Sequence, residues 1–392
     1  DADYNLGNSF KPSEEYYVAG FLSPAQWTAM GFDAPGPSGA PNLSGSYVPQ
    51  SGSAAIDTGT SLSSVFTDDI AGTSRPQNSA WDIGAYEYAG AATPPPVTSV
   101  SDIYISQSGA GSGDASSCAN AKTASFFDTA ANWGSGASQI GPGKTVHLCG
   151  TISTALSVQA SGASGNPITV FFEPGAKMSA PAFAASGALV IHSKNYITVD
   201  GGTNGVMENT ANGTNLSNHI DTTMIDVDTA DHITVQNLDF RNIYVRTAGT
   251  EQYGYGTAVS FTNTVTNILA AHNTVDDAYI GIGVSYGGGS SNIRFSYNTM
   301  TNTNWGLRAG DRTSASSLDT LTIDHNNASQ FANWDDSLSN SFHHNGFYGW
   351  AESGGMLRNV KIYDNTFGPA WGIHTTGGVF MSGDFGSTDR KS

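Results

Sequence analysis

The sequence predicts an all-β chain, a right-handed parallel β-helix whose larger domain opens with a short capping helix. Three observations lead there. Short stretches of alternating apolar and polar residues recur between residues 196 and 362, their separations are coil-sized but uneven, and the intervals are filled with Gly, Asn, Ser and Thr. Alternation with period two marks strands buried on one face. Recurrence at a few tens of residues marks a solenoid in which each unit packs only on its neighbours.

The repeating unit is a polar residue, then alternating apolar positions. It occurs as Tyr196-Ile197-Thr198-Val199, His232-Ile233-Thr234-Val235, Asn267-Ile268-Leu269-Ala270, Asn292-Ile293-Arg294-Phe295, Thr320-Leu321-Thr322-Ile323 and Asn359-Val360-Lys361-Ile362. The first apolar members lie 36, 35, 25, 28 and 39 residues apart, so loops of different length leave each coil. Residues 197, 233, 268, 293, 321 and 360 should form one inward stack, and residues 199, 235, 270, 295, 323 and 362 a second. Asn273, Asn298, Asn326 and Asn365 each stand five residues after the first apolar member. They are expected to form a hydrogen-bonded ladder at a bend, where Asn also tolerates left-handed backbone.

Ahead of these units, Ile103-Tyr104-Ile105-Ser106 reads as a strand. Residues 126–133 suggest a short helix, and Gly141-Pro142-Gly143 turns into the buried strand 145–149. A helix in this position would cover the open edge of the first coil. Cys118 and Cys149 flank this region. A disulfide between them suits an exported protein, and two separate buried thiols are the competing reading. Pro94-Pro95-Pro96 cannot enter a sheet interior, so residues 91–97 read as a linker between residues 1–90 and 98–392.

The repeats resemble those of the pectate-lyase-like superfamily of secreted β-helix proteins. Residues 54–88 add a second resemblance. Ala55-Ile56-Asp57-Thr58-Gly59, Asp69, Arg75-Pro76 and Asp82-Ile83-Gly84-Ala85-Tyr86-Glu87-Tyr88 are similar to the closing segment of bacterial β-helix surface proteins of the choice-of-anchor type. That segment ends a β-helix in the family, whereas here it stands first and residues 98–392 carry none. The order implies a fragment of tandem domains, a permuted unit, or a segment that completes a neighbouring copy. The last arrangement would give end-to-end self-association into a fibre.

Charged residues make up 12% of the chain, about half the usual share, and 47 residues are Gly. The formal charge of −18 and the absence of a Lys/Arg cluster argue against nucleic acid. The same charge disfavours strongly anionic polysaccharides unless calcium bridges the contact. No run of 18 apolar residues is present to span a membrane. The chain reads as a processed piece of an exported protein, extracellular or on a bacterial surface.

Candidate chemistry collects late in the chain. Aligning Gly281-Ile282-Gly283, Gly306-Leu307-Arg308, Gly346-Phe347-Tyr348 and Gly372-Ile373-His374 places Arg308, Tyr348 and His374 on one outer face. Asp311, Asp335, His343 and His344 are candidates to lie nearby. A cation and a base suit polysaccharide β-elimination, and paired carboxylates suit glycoside hydrolysis. Trp334, Tyr348 and Trp350 are candidates for stacking on sugar. Asp226, Asp228 and Asp231 alternate along one stretch and offer oxygen ligands for Ca²⁺, with a solvated turn as the alternative. Three functions follow: an extracellular structural or adhesive β-helix, a polysaccharide lyase or glycoside hydrolase, and non-catalytic glycan binding. The fold hosts all three.

Overall fold

The structure is a computed structural model. It describes residues 42–43, 48–50, 53–63, 65–77, 80–88, 102–214, 216–243, 256–286, 289–311, 317–330, 344–351, 355–369 and 375–383. The chain divides into two compact units, residues 1–99 and 100–392.

The second unit is a right-handed parallel β-helix, in which every named strand pairs in parallel with the strand of the next coil. Two of the faces that run along it are named here A and C. Face A carries the repeats. Ile197 pairs with Ile233, Ile233 with Ile268, Ile268 with Ile293, Ile293 with Leu321 and Leu321 with Val360. The second expected stack, from Val199 through Val235, Ala270, Phe295 and Ile323 to Ile362, follows the same registers. Both stacks are sealed from water as far as Leu321 and Ile323 and become partly exposed at Val360 and Ile362. Upstream, Ile168 and Val170 join them through the strand Ile168–Phe172. Apolar burial along these columns supplies the main stabilisation.

The polar residue that opens each repeat has a structural task. Tyr196, His232, Asn267, Asn292, Thr320 and Asn359 all adopt left-handed backbone, with φ between 51° and 61°. They turn the chain into face A, so its first apolar residue enters the core.

The Asn ladder closes the other end of face A. The Asn298 Oδ1 accepts both the backbone N–H (3.1 Å) and the Nδ2 (3.0 Å) of Asn273. Asn326 does the same for Asn298, and Asn365 for Asn326. Each free amide hydrogen goes to a carbonyl, for example Asn298 Nδ2 to Ala270 O at 2.9 Å. Left-handed backbone falls one residue earlier than expected, on His272, Tyr297, His325 and Asp364. The Asn side chain is thereby turned inward, where buried amides need partners, while the residue before it faces out.

The N-terminal end is covered as predicted. A helix, Ala124–Asp128, and a 3₁₀ turn, Ala130–Asn132, run up to Trp133. Phe127 is sealed beneath Trp133 in an edge-on contact, and the Trp133 indole donates to the Phe127 carbonyl. A Cys118–Cys149 disulfide ties the cap to the strand Thr145–Cys149.

In the first unit, the motif residues bind loops together. Asp82 accepts the Asp57 N–H (2.8 Å) and the Tyr88 N–H, and Asp57 accepts the Ala80 N–H. Arg75 pairs with the buried Glu87 at 3.3 Å, caps the carbonyls of Asp82 and Gly84, and lies over Trp81. Any Cβ on Gly59 would stand 2.7 Å from the Asp82 carbonyl oxygen, so only Gly fits there. These carboxylates are consumed by backbone donors and act in structure.

Candidate functional site

Face C presents a built outer surface. Its inward column runs from Leu189 through Ile225, Val259, Ile282, Leu307 and Phe347 to Val379. Alternation turns the residues beside it outward. One outward column reads Asp226, Ser260, Gly283, Arg308, Tyr348, Phe380. Its neighbour reads His192, Asp228, Thr262, Ser285, Gly310, Trp350, Ser382.

A cavity of about 260 Å³ opens on this face. It is lined by Ala185, Asp221, Thr223, Thr257, Ser260, Ile280, Gly283, Ser285 and Arg308. Gly283 makes the space, since the column has no side chain between Ser260 and Arg308. Arg308 closes the upper end. It donates to the Ser285 hydroxyl, and its guanidinium lies 4.7 Å from the Trp350 ring and 5.6 Å from the Trp305 ring. A cation held over aromatic faces is oriented as well as stabilised. Trp305, Tyr348 and Trp350 form a stack, at 4.9 Å and 5.1 Å between centroids, continued by Phe380 at 5.7 Å. Trp350 is 6% exposed and Trp305 9%, so these rings buttress Arg308 and do not offer open faces. Gly310 permits this, because a Cβ there would lie 2.0 Å from the Trp350 ring.

The lower end of the face is acidic. The His192 Nε2 lies 2.8 Å from the Asp226 Oδ2. Burial pushes the Asp226 carboxyl above its ordinary pKa, against the lowering effect of His192. Asp228, two residues on, shifts the other way. Its partial burial is outweighed by hydrogen bonds from Thr229 (2.5 Å) and Asn263 (2.7 Å), which hold it below the ordinary value.

The expected residues are only partly brought together. Arg308 and Tyr348 are direct neighbours and Trp350 joins them. His374 was aligned with Tyr348 through the Gly372 match. The register instead sets Phe347 against Val379 and Tyr348 against Phe380. The pairing slips between His344 and Asn345, which defeats a match anchored on Gly. His374 itself lies outside the described residues, as do Trp334, Asp335 and His343. The backbone of Asp311 pairs with Ala351, at the end of the Arg308 strand. His344 is wholly buried and is not among the residues that line the cavity. Asp231 sits at the bend before face A, holding Thr266, Asn267 and His232. It is separated from Asp226 and Asp228, and among the described residues no group of three or more His, Cys, Asp or Glu side chains is placed to hold a metal ion. Sequence reading missed Asp221, Ser260 and Ser285, which only the coil register unites, and it aligned Gly283 with Arg308 without reading it as the opening of a cavity.

No family model matches the chain, and no curated protein matches it. Solved structures do. An alginate lyase from Paenibacillus sp. str. FPU-7 aligns at 12% identity and a TM-score of 0.34, over 67% of this chain and 99% of the lyase. Endopolygalacturonase I from Stereum purpureum aligns at 14% and 0.26, over 62% and 92%. A GH136 lacto-N-biosidase from Eubacterium ramulus aligns at 10% and 0.25, over 72% and 67%. The chain's own parallel coil-to-coil registers define it as a parallel β-helix protein. Among the described residues no helix is long and apolar enough to cross a membrane. The functional reading is taken from the cavity itself.

Proposed function

We propose that this is a carbohydrate-active β-helix protein that holds an extracellular polysaccharide along the outer surface of face C and cleaves it. The observation that carries this reading is Arg308, oriented by two indole rings and a serine hydroxyl on the wall of a cavity lined with Thr223, Thr257, Ser260 and Ser285. Hydroxyls and a fixed guanidinium match the hydroxyl and carboxylate groups of a sugar chain. The volume of about 260 Å³ lies just below the range of small-ligand sites, so the cavity would take only part of a longer chain. A polar cavity of this kind favours the carbohydrate-active reading over a structural or adhesive role. The disulfide suits work outside the cell.

The test is affinity electrophoresis of the full chain in gels containing xylan, mixed-linkage β-glucan, pectate or alginate, followed by assays of the retarding polymer for new reducing ends. Retardation by at least one polymer with release of fragments is the expected result. Free migration in all four gels would overturn the reading.

A further inference from the structure

The polysaccharide reading leaves open which groups break the chain, and the lower end of face C supplies a pair that the cavity lining does not include. We infer that Asp226 and Asp228 are the acid and base of a glycoside hydrolysis, with His192 as the positioning residue of Asp226; this inference rests on the carbohydrate reading of the same face.

Geometry carries it. Both carboxylates point outward from one strand two positions apart, a separation of about 7 Å along the backbone. Inverting glycosidases hold their two carboxyls about 6.5 to 9.5 Å apart, which leaves room for a water. Asp226 shares its column with Ser260, Gly283 and Arg308, the floor and upper wall of the cavity. Three coil spacings, roughly 14 Å, separate Asp226 from Arg308, so a chain gripped at Arg308 and lying along the column reaches the pair. Gly187, two residues after the lining residue Ala185, packs against Asp226, where an added Cβ would stand 3.0 Å from the Asp226 Cβ.

The two environments differ in the manner that separates an acid from a base. Asp226 is half-buried and raised, while Asp228 is kept ionised by Thr229 and Asn263. Two carboxyls pushed apart in this way divide the roles between them. In the step, the Asp226 carboxyl gives its proton to the glycosidic oxygen as the C–O bond breaks and its electron pair goes to that oxygen. Asp228 takes a proton from a water, whose oxygen bonds to the anomeric carbon. The products are two sugar chains with one water added, and the proton on Asp228 returns to Asp226 through solvent.

The experiment uses full-length Asp226→Asn, Asp228→Asn and His192→Gln on whichever polymer retards the wild type. Retention in the affinity gel shows that each variant is folded and still binds. We expect the two Asn variants to retain binding and lose at least about a hundredfold in reducing-end release. His192→Gln should keep polymer binding, lower fragment release in part, and move the alkaline limb of its pH profile, where Asp226 loses its proton, to higher pH, an effect that a merely structural histidine would not produce. Cleavage undiminished in Asp226→Asn and Asp228→Asn overturns the assignment and leaves the carbohydrate reading standing, whereas wild-type binding without cleavage overturns the assignment and the cleavage half of that reading. Absence of wild-type binding overturns that reading and the assignment with it.

Discussion

The bend after face A and the outer surface of face C are made by the same coils, yet they spend their polar residues differently. At the bend the amides of Asn273, Asn298 and Asn326 are each bonded to the Asn of the next coil and to a backbone carbonyl. On face C polar groups of successive coils are spread around a cavity, and small residues such as Gly283 and Ser260 keep it open. One surface uses repetition to satisfy itself, and the other interrupts repetition to receive a ligand. The change from Ser260 to Gly283 to Arg308 to Tyr348 within one column is the mark of the second kind.

Substitutions sharpen this comparison. The largest stability effect is expected from Asn298→Ala in the ladder. It strips partners from the Asn273 amide, the Asn273 side chain and the Ala270 carbonyl, all buried. A loss of about 3 kcal/mol in denaturant unfolding is expected, since each orphaned buried group costs about 1 to 3 kcal/mol.

Next comes Asp324, beside the same bend. Arg294 grips it in a two-pronged pair (2.8 and 2.7 Å), with further bonds from Ser296 and His325, and holds its pKa down to about 2. The pKa is lowered by folding, so the stabilisation is complete above the ordinary carboxylate value of 3.8 and fades as pH falls toward 2. Asp324→Asn should therefore cost about 2 kcal/mol at neutral pH, and the gap from wild type should close in unfolding curves recorded across the acid range.

The smallest effect tests the turn into face A. Thr320 is β-branched in a left-handed position where Asn267, Asn292 and Asn359 stand in other coils. Thr320→Asn relieves that strain, and a gain of about 0.5 kcal/mol in thermal unfolding is expected.

The scaffold was far more legible in the sequence than the site. Six strands of face A and the Asn ladder were readable because they repeat, and repetition in sequence becomes adjacency in space. The cap was readable because residues 126–133 break the strand pattern, although the helix itself begins and ends earlier, at Ala124–Asp128, and a 3₁₀ turn follows at Ala130–Asn132. Face C was harder. The Arg308–Tyr348 contact followed from the Gly alignment, but the next coil did not, since the register slips at His344 and Asn345. Asp226 and Asp228 looked like part of an acidic run. Their partners, His192 and Asn263, come from coils about 35 residues away, a distance that local pattern does not bridge.

The most direct test of the division between scaffold and site is Arg308→Ala, measured by affinity electrophoresis against the retarding polysaccharide and by thermal unfolding of the same sample. The account predicts roughly tenfold weaker binding, about 1.4 kcal/mol, with a melting temperature within a degree or so of wild type. Unchanged retardation, or a fall in melting temperature like that of Asn298→Ala, would contradict it and make Arg308 part of the scaffold.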